Sequence, residues 1–312
     1  MLIVGEKEAA VCALGLSSLS AQEEQAKDSL NTSLISLEEV SVAGLRANDK
    51  QPVPFSEVTK ADLKSRNLGQ DLPILLNFLP SVVTTSDAGA GIGYTGIRVR
   101  GSDATRVNVT INGIPYNDAE SQGTFWVNLP DFASSVESIQ LQRGVGTSTN
   151  GSSAFGASLN ILTDAAAPAA YAEITNAVGS FGTLRNTLKF STGLLNDRVE
   201  FSGRLAKIAS DGYIDRASSD LKSYFLQGLY KDENTLIKAL TFGGHEVTYQ
   251  SWFGVDPYTL ENDRTYNFAG EIYNDNGDLT GYYDNQVDNY RQDHYQLHWN
   301  QTYANNWSSS LG

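Results

Sequence analysis

From Tyr171 onward the chain repeatedly alternates apolar and polar residues over strand-length runs, and no other feature constrains its fold as strongly. Val199, Phe201, Gly203 and Leu205 alternate with Glu200, Ser202, Arg204 and Ala206. Leu188 and Phe190 stand opposite Arg185, Thr187, Lys189 and Ser191, and Tyr224, Leu226, Gly228 and Tyr230 continue the rhythm. Tyr295, Leu297 and Trp299 likewise oppose His294, Gln296, His298 and Asn300. A period of two sends successive side chains to opposite faces of a strand, so every run has a greasy face and a wet one. Aromatic residues gather near the run ends, as the two interfaces of a bilayer favour. No window approaches the roughly 18 consecutive apolar residues of a spanning helix, which excludes a helical membrane protein. A barrel stays open, because a tilted spanning strand needs only about 10 residues, with every second one facing lipid.

Between these runs lies 255–293, rich in Tyr and Asn and carrying nine acidic residues against Arg264 and Arg291. It is too long for a turn on the short-turn side of a barrel and reads as an extended extracellular loop. The formal charge of −14 argues against nucleic acid as a partner, since no cluster of Lys and Arg is available to track phosphates.

Residues 52–163 have a different texture, that of one compact α/β unit. Val53–Val58 suits a strand. Asp62–Asn67 suits a short helix, as does the stretch opened by Asp71, with Leu72, Leu75, Leu76 and Leu79 on one face and Pro80 as its stop. Strands follow over 81–85, 97–100 and 106–111, and Asn112-Gly113 before Ile114-Pro115-Tyr116 is a strong hairpin signal. Two more strands fit at 138–143 and 157–162, and the Ala/Pro-containing stretch 164–170 marks a boundary.

The N-terminal residues contain no such unit. Ala9–Leu16 is apolar, 17–21 is small, and a polar switch follows at Gln22, as in a secretory leader, although Glu6 and Glu8 around Lys7 deprive it of the usual positive start. Cys12, the one cysteine, falls inside that stretch, so no internal disulfide forms. Residues 22–51 are polar and aperiodic, with one exception. Leu37-Glu38-Glu39-Val40-Ser41-Val42 is a short β-prone run without a local partner, suited to being added to another protein's sheet edge.

Several motifs fail on context. Gly91–Gly96 has the spacing of a dinucleotide fingerprint, but a strand rather than a helix follows it. Gly146–Gly151 has Walker spacing with Ser152 where lysine is required. The three histidines, His245, His294 and His298, sit in no nucleophile-type context, and His294 and His298 are separated along a strand by roughly 13 Å, too far for one metal ion. No catalytic residue, metal site or cofactor is expected. The acidic loop lacks ordered calcium-loop spacing and reads as solvated charge.

Four ordered segments then carry a resemblance. Leu37–Val42 resembles the TonB box of Bacteroidetes receptors. Ile97-Arg98-Val99-Arg100-Gly101, the run from Val107 through Asn112-Gly113 to Pro115, and 136–144 with Ala154-Phe155-Gly156-Ala157 resemble the plug signatures of TonB-dependent outer-membrane receptors. The resemblance implies an α+β plug domain followed by the first antiparallel strands of a transmembrane β-barrel. It divides the chain into a signal peptide (1–21), a flexible periplasmic segment with the box at 37–42, a plug (52–168) and the beginning of the barrel (169–312).

It also implies a mechanism and partners. Such receptors bind a scarce small molecule at the surface of a Gram-negative cell, and TonB, with its inner-membrane energising complex, pulls on the box to open the plug. Outer-membrane lipid surrounds the wall. In the family, plug arginines at the positions of Arg100 and Arg143 pair with wall glutamates, a lock strong when dry; the alternative is that both arginines only tie plug turns together. Tyr94, Tyr116, Phe125 and Trp126 lie on plug loops where family ligands bind, or else pack against the wall. The plug lacks the wording of the SusC-like glycan importers, which favours an iron–siderophore, haem or cobalamin-type cargo. The alternatives are a SusC-like importer, a surface β-adhesin and a truncated receptor that does not transport. About six strands fit after Tyr171, against the about 22 of a large plugged barrel, so the chain reads as an incomplete barrel.

Overall fold

The computed structural model describes residues 46–146, 154–304 and 307–312. The expected leader and the box at Leu37–Val42 lie outside the described residues.

The first unit is a five-stranded sheet with short helices. Its elements are β1 (Phe55–Thr59), α1 (Lys60–Arg66), α2 (Leu72–Leu75), β2 (Val82–Ser86), β3 (Thr95–Val99), β4 (Val107–Ile111), β5 (Ile114–Pro115), β6 (Val136–Arg143) and β7 (Ala157–Thr163). Thr59 and Asp62 close a reciprocal capping box that starts α1 directly on the end of β1. The helix expected through Leu79 is a single turn, because Leu76 N bonds the carbonyls of Pro73 and Ile74 and the chain tightens there. Its leucines still face inward as the spacing implied: Leu72, Leu75, Leu76 and Leu79 are all buried.

The sheet order is β1-β6-β7-β4-β5, with β4 and β7 parallel and the other pairs antiparallel. All five residues of β4 are buried, as expected of a strand covered on both faces. β2 and β3 form a separate antiparallel pair, and Thr95, in the glycine-rich stretch, opens β3 rather than a helix.

The second unit is a seven-stranded antiparallel sheet. It is built from β8 (Tyr171–Val178), β9 (Leu184–Ser191), β10 (Val199–Ser210), β11 (Ser219–Lys231), β12 (Thr235–Tyr249), β15 (Val287–Thr302) and β16 (Ser308–Leu311), in the order β16-β15-β12-β11-β10-β9-β8. The seventh strand, one more than the sequence pattern indicated, is the short edge strand β16. Between β12 and β15, the long acidic segment carries α3 (Pro257–Asn262) and a hairpin of β13 (Glu271–Tyr273) and β14 (Leu279–Tyr282).

The sheet is inside out. Leu188, Phe201, Leu205, Leu226, Tyr295, Leu297 and Trp299 are exposed, while Arg185, Thr187, Glu200, Arg204, Gln227, Lys238, Glu246 and His298 are buried. The buried face is buried because the first unit sits against it. Phe225, Leu240 and Phe242 of this wall belong to the same apolar cluster as the first unit's core, with Phe132 between them at ring-centroid distances of 6.3 Å from Phe225 and 5.2 Å from Phe242.

Candidate functional site: the seat between plug and wall

The wet face of the wall meets the first unit through polar groups, and the densest contact is at Asp131. Asp131 has φ 52°, a left-handed conformation that Asp tolerates better than most residues. It stands at the start of the 3-10 turn Phe132–Ser135, between β5 and β6. Its carboxylate is fully buried, 2.8 Å from Arg185 Nη2 and 3.6 Å from Arg204 Nη1. Thr187 Oγ1 donates to Oδ2 at 2.6 Å, and Ser134 Oγ and Asn67 Nδ2 donate to Oδ1 at 2.7 and 3.1 Å. The arginines are held in turn: Arg204 donates to Ser135 Oγ, the Pro130 carbonyl and Ser223 Oγ, and Arg185 to the Asn67 carbonyl and Ser134 Oγ. Burial raises the Asp131 pKa, but Arg204 and Arg185 outweigh it and hold the carboxyl below the usual carboxylate range.

A second anchor lies where the first unit passes into the wall. Asp164 pairs with Lys60 of α1 at 2.6 Å and with Lys189 of β9 at 2.5 Å. Lys238 of β12 donates to Thr163 Oγ1, and Glu200 accepts from Ala167 N in the connecting segment. A cleft of about 560 Å³ opens beside that segment.

Around Glu246 of β12 and Asp288 of β15 the contact is of the opposite character. Asp71 is buried, receives Thr95 Oγ1 on Oδ2 at 2.9 Å, and leaves Oδ1 without a partner. Burial pushes its carboxyl well above the usual range, the charge of Glu246 adds to the shift, and the bonds from Thr95 and Gly93 offset only part of it. Tyr94 donates to both Glu246 and Asp288 across the same gap. No cation is ion-paired to Asp71, Glu246 or Asp288 among the described residues.

The residues singled out in the sequence are distributed around this seat. Tyr94 also packs edge-on against Trp252, with centroids 5.0 Å apart. Tyr116 is tilted against His294 at 5.0 Å, with its hydroxyl 3.4 Å from Gln292 Oε1. Phe125 is 44% exposed, whereas Trp126 is 2% exposed and belongs to the core. Arg143 donates to Ser56 Oγ at 2.6 Å and to the Phe55 carbonyl, both on β1. Arg100 is exposed, with φ 52°, and its guanidinium lies over Gly144. Neither arginine is ion-paired among the described residues.

Sequence reasoning missed Asp131 and Asp164. Their signal lay on the wall: Arg185, Lys189 and Arg204 occupy wet-face positions in an acidic chain, and cations placed there require an anion opposite them.

One further contact concerns the segment that arrives from the N-terminus. Ala47 N donates to Gln140 Oε1 at 2.7 Å and its carbonyl accepts from Gln140 Nε2 at 3.0 Å, so the Gln140 side chain serves Ala47 as a neighbouring strand would. Arg46 adds bonds to Ser138 and to the Asn160 carbonyl.

A sheet with an apolar exposed face and a polar face filled by a globular unit defines a class: a membrane wall with a plug. Residues 47–158 match the family described as the TonB-dependent Receptor Plug Domain. The chain thus contains a TonB-dependent receptor plug domain, and antiparallel wall strands follow it as they do in the solved receptors it resembles in fold. It is 24% identical over 283 residues to the probable TonB-dependent siderophore receptor PirA of Acinetobacter baumannii, covering 83% of this chain and 35% of that relative.

In fold it is similar to three solved receptors. The ferric-catecholate import receptor Fiu of E. coli K12, in its open form, has a TM-score of 0.61 at 14% identity, covering 82% of this chain and 37% of that one. The ferripyoverdine receptor of the Pseudomonas aeruginosa outer membrane, bound to ferripyoverdine, has a TM-score of 0.60 at 12% identity, covering 84% and 33%. The siderophore receptor PirA from Acinetobacter baumannii has a TM-score of 0.56 at 17% identity, covering 80% and 38%. The chain thus spans about a third of the length of the relatives it matches.

Proposed function

We propose that the chain serves an outer-membrane receptor that captures a scarce metal chelate, of iron–siderophore, haem or cobalamin type, and admits it to the periplasm when TonB pulls on the plug. The observation that carries this reading is the seat itself. The plug is held to the wall by buried charge pairs and hydrogen bonds around Asp131 and Asp164, alongside apolar contacts of Phe132 with Phe225 and Phe242 and of Ile92 and Val127 with Ile208 and Leu221. Charge pairs of this kind are strong while dry and weaken when water enters, so a limited displacement releases them.

The residue roles follow from that reading. Leu37, Glu38, Glu39, Val40, Ser41 and Val42 form the strand that TonB captures, and tension reaches the plug through Arg46 and the Ala47–Gln140 pair before it reaches β1, an edge strand. Arg100 and Arg143 are lock residues toward wall glutamates; the bonds of Arg143 to β1 favour its also tying the pulled strand down. Phe125 offers an exposed face to a ligand, Tyr94 and Tyr116 line the vestibule between plug and wall, and Trp126 supports them from the core. The leader occupies 1–21, the flexible periplasmic segment 22–51, the plug 52–168 and the wall 169–312, with 255–293 outside the cell.

The test is uptake of radiolabelled ferric siderophores, haem and cobalamin by cells producing the native receptor or its Val40→Pro variant. Proline removes a main-chain donor from the added strand. Surface binding is expected to persist and uptake to fall to background. Undiminished uptake would break the coupling role of 37–42, and absence of binding to all three ligand types would break the cargo class.

A further inference from the structure

The face of the wall that turns away from the plug carries a second pattern, in charge. The strand registers align Asn186, Lys207, Lys222, His245 and Arg291 in one cross-strand row through β9, β10, β11, β12 and β15. The row lies two to four residues inside the strand ends at Leu184, Ser210, Ser219, Tyr249 and Val287, the end of the sheet that bears the long 250–286 connection. Every Lys and Arg that faces outward on the described wall strands belongs to it, in a chain of net charge −14. On the same face the next rows are Leu188, Leu205 and Tyr224, then Phe190, Leu226 and Tyr295. The basic row therefore borders the apolar belt.

The row is also shaped. Gly243 faces outward between Tyr224 and Asp293, and a Cβ there would stand 2.5 Å from Asp293 Oδ1 and 3.0 Å from the Tyr224 ring. Without one, Tyr224 donates to Asp293 at 2.8 Å, and a recess of about 200 Å³ remains, edged by Lys222, Tyr224, His245, Arg291 and Asp293. Lys207 is neutralised by Asp220 at 3.3 Å, and Arg291 is shared with Asp293 at 3.0 Å. His245 Nε2 is bonded to Asn289 Oδ1 at 2.9 Å. Lys222, between them, has no acidic partner among the described residues.

We propose that Lys222, His245 and Arg291, around the recess at Gly243, form a headgroup site for a phosphate-bearing lipid of the outer leaflet. The proposal rests on reading the sheet as an outer-membrane wall with its long loop outside, because barrels keep their short turns on the periplasmic side. Juxtamembrane Lys and Arg attract anionic headgroups, and a lysine stem lies along apolar surface while its ammonium stays at headgroup depth. Tyr224 on the rim of the recess is registered opposite Leu205 and shares its face with Leu226 two residues on, and this apolar border selects a lipid over a free anion, since acyl chains would lie on those side chains while the phosphate meets the rim.

The test uses the receptor extracted from outer membranes into a neutral detergent. Native mass spectrometry reads its co-purifying lipid, and titrations compare diphosphoryl lipid A with the dephosphorylated form, with inorganic phosphate as competitor. The native protein is expected to retain phosphorylated lipid and to prefer the phosphorylated form. Lys222→Gln and Arg291→Gln are each expected to weaken that binding by on the order of fivefold. Equal binding of both lipid forms, unchanged binding by the double variant, or full displacement by inorganic phosphate would overturn the site. A protein that does not fractionate with the outer membrane overturns the functional reading as well; one that fractionates there, imports its ligand and fails only the lipid titration removes this inference alone.

Discussion

Asp131 and Asp71 are both plug aspartates buried against the same wall, and they are held in opposite ways. Asp131 meets Arg185, Arg204 and three neutral donors. Asp71 meets Thr95, the Gly93 backbone and the like charge of Glu246, and its Oδ1 has no hydrogen-bond partner among the described residues. The difference teaches where the plug is fastened and where it is only laid. Against β9 and β10 it is tied by compensated charge; at Glu246 of β12 and Asp288 of β15 it faces carboxyl groups that repel one another when ionised.

Removing the compensated acid should have the largest effect. Asp131→Ala leaves two buried guanidinium groups facing no anion, and the loss is expected at about 3–5 kcal/mol in denaturant unfolding of the detergent-solubilised protein. A loss below about 1 kcal/mol would mean that the arginines find other partners and that the two regions are alike. Thr187→Val is narrower, since it deletes one hydrogen bond to a charged group and keeps both arginines, and should cost about 1.5–3 kcal/mol in the same unfolding measurement.

The smallest and most diagnostic effect is in pH dependence, where the two aspartates have opposite signs. Asp131 has a depressed folded pKa, so its stabilisation is present above its unfolded value and disappears as pH falls through the folded one. Asp71 has a raised folded pKa, so its favourable contribution is present in acid and is lost as pH rises from the unfolded value through the folded one. Unfolding profiles of Asp71→Asn should therefore lack a decline, of at most about 1.4 kcal/mol per pH unit, that the native protein shows above the ordinary carboxylate range. A variant profile parallel to the native one would remove Asp71 from the comparison.

Much of this molecule was legible before folding. The alternation in 199–207 and 294–300 is a local property, because a period of two needs only the geometry of one strand, and it correctly divided Leu205 and Trp299 from Arg204 and His298. The plug strands and the leucine face after Asp71 were equally local. The extent of α2 was not, because a turn that tightens after one cycle does so through its surroundings. The seat was the least legible part. Asp131 lies 54 residues from Arg185 and 73 from Arg204, and nothing near it in sequence marks it as different from the surface aspartate Asp118.

By itself, then, the sequence determined which face of each wall strand is greasy, where the plug begins to form a sheet, and which family signatures the chain carries. All of these depend on neighbours a few positions away. The tertiary structure alone decided that the anion holding the plug is Asp131, that Trp126 is core while Phe125 is exposed, and that Lys207, Lys222, His245 and Arg291 share a row. The physical reason is common to the three: burial, charge pairing and cross-strand register are relations between distant segments, and they come into being only when the plug is seated and the strands have chosen their register.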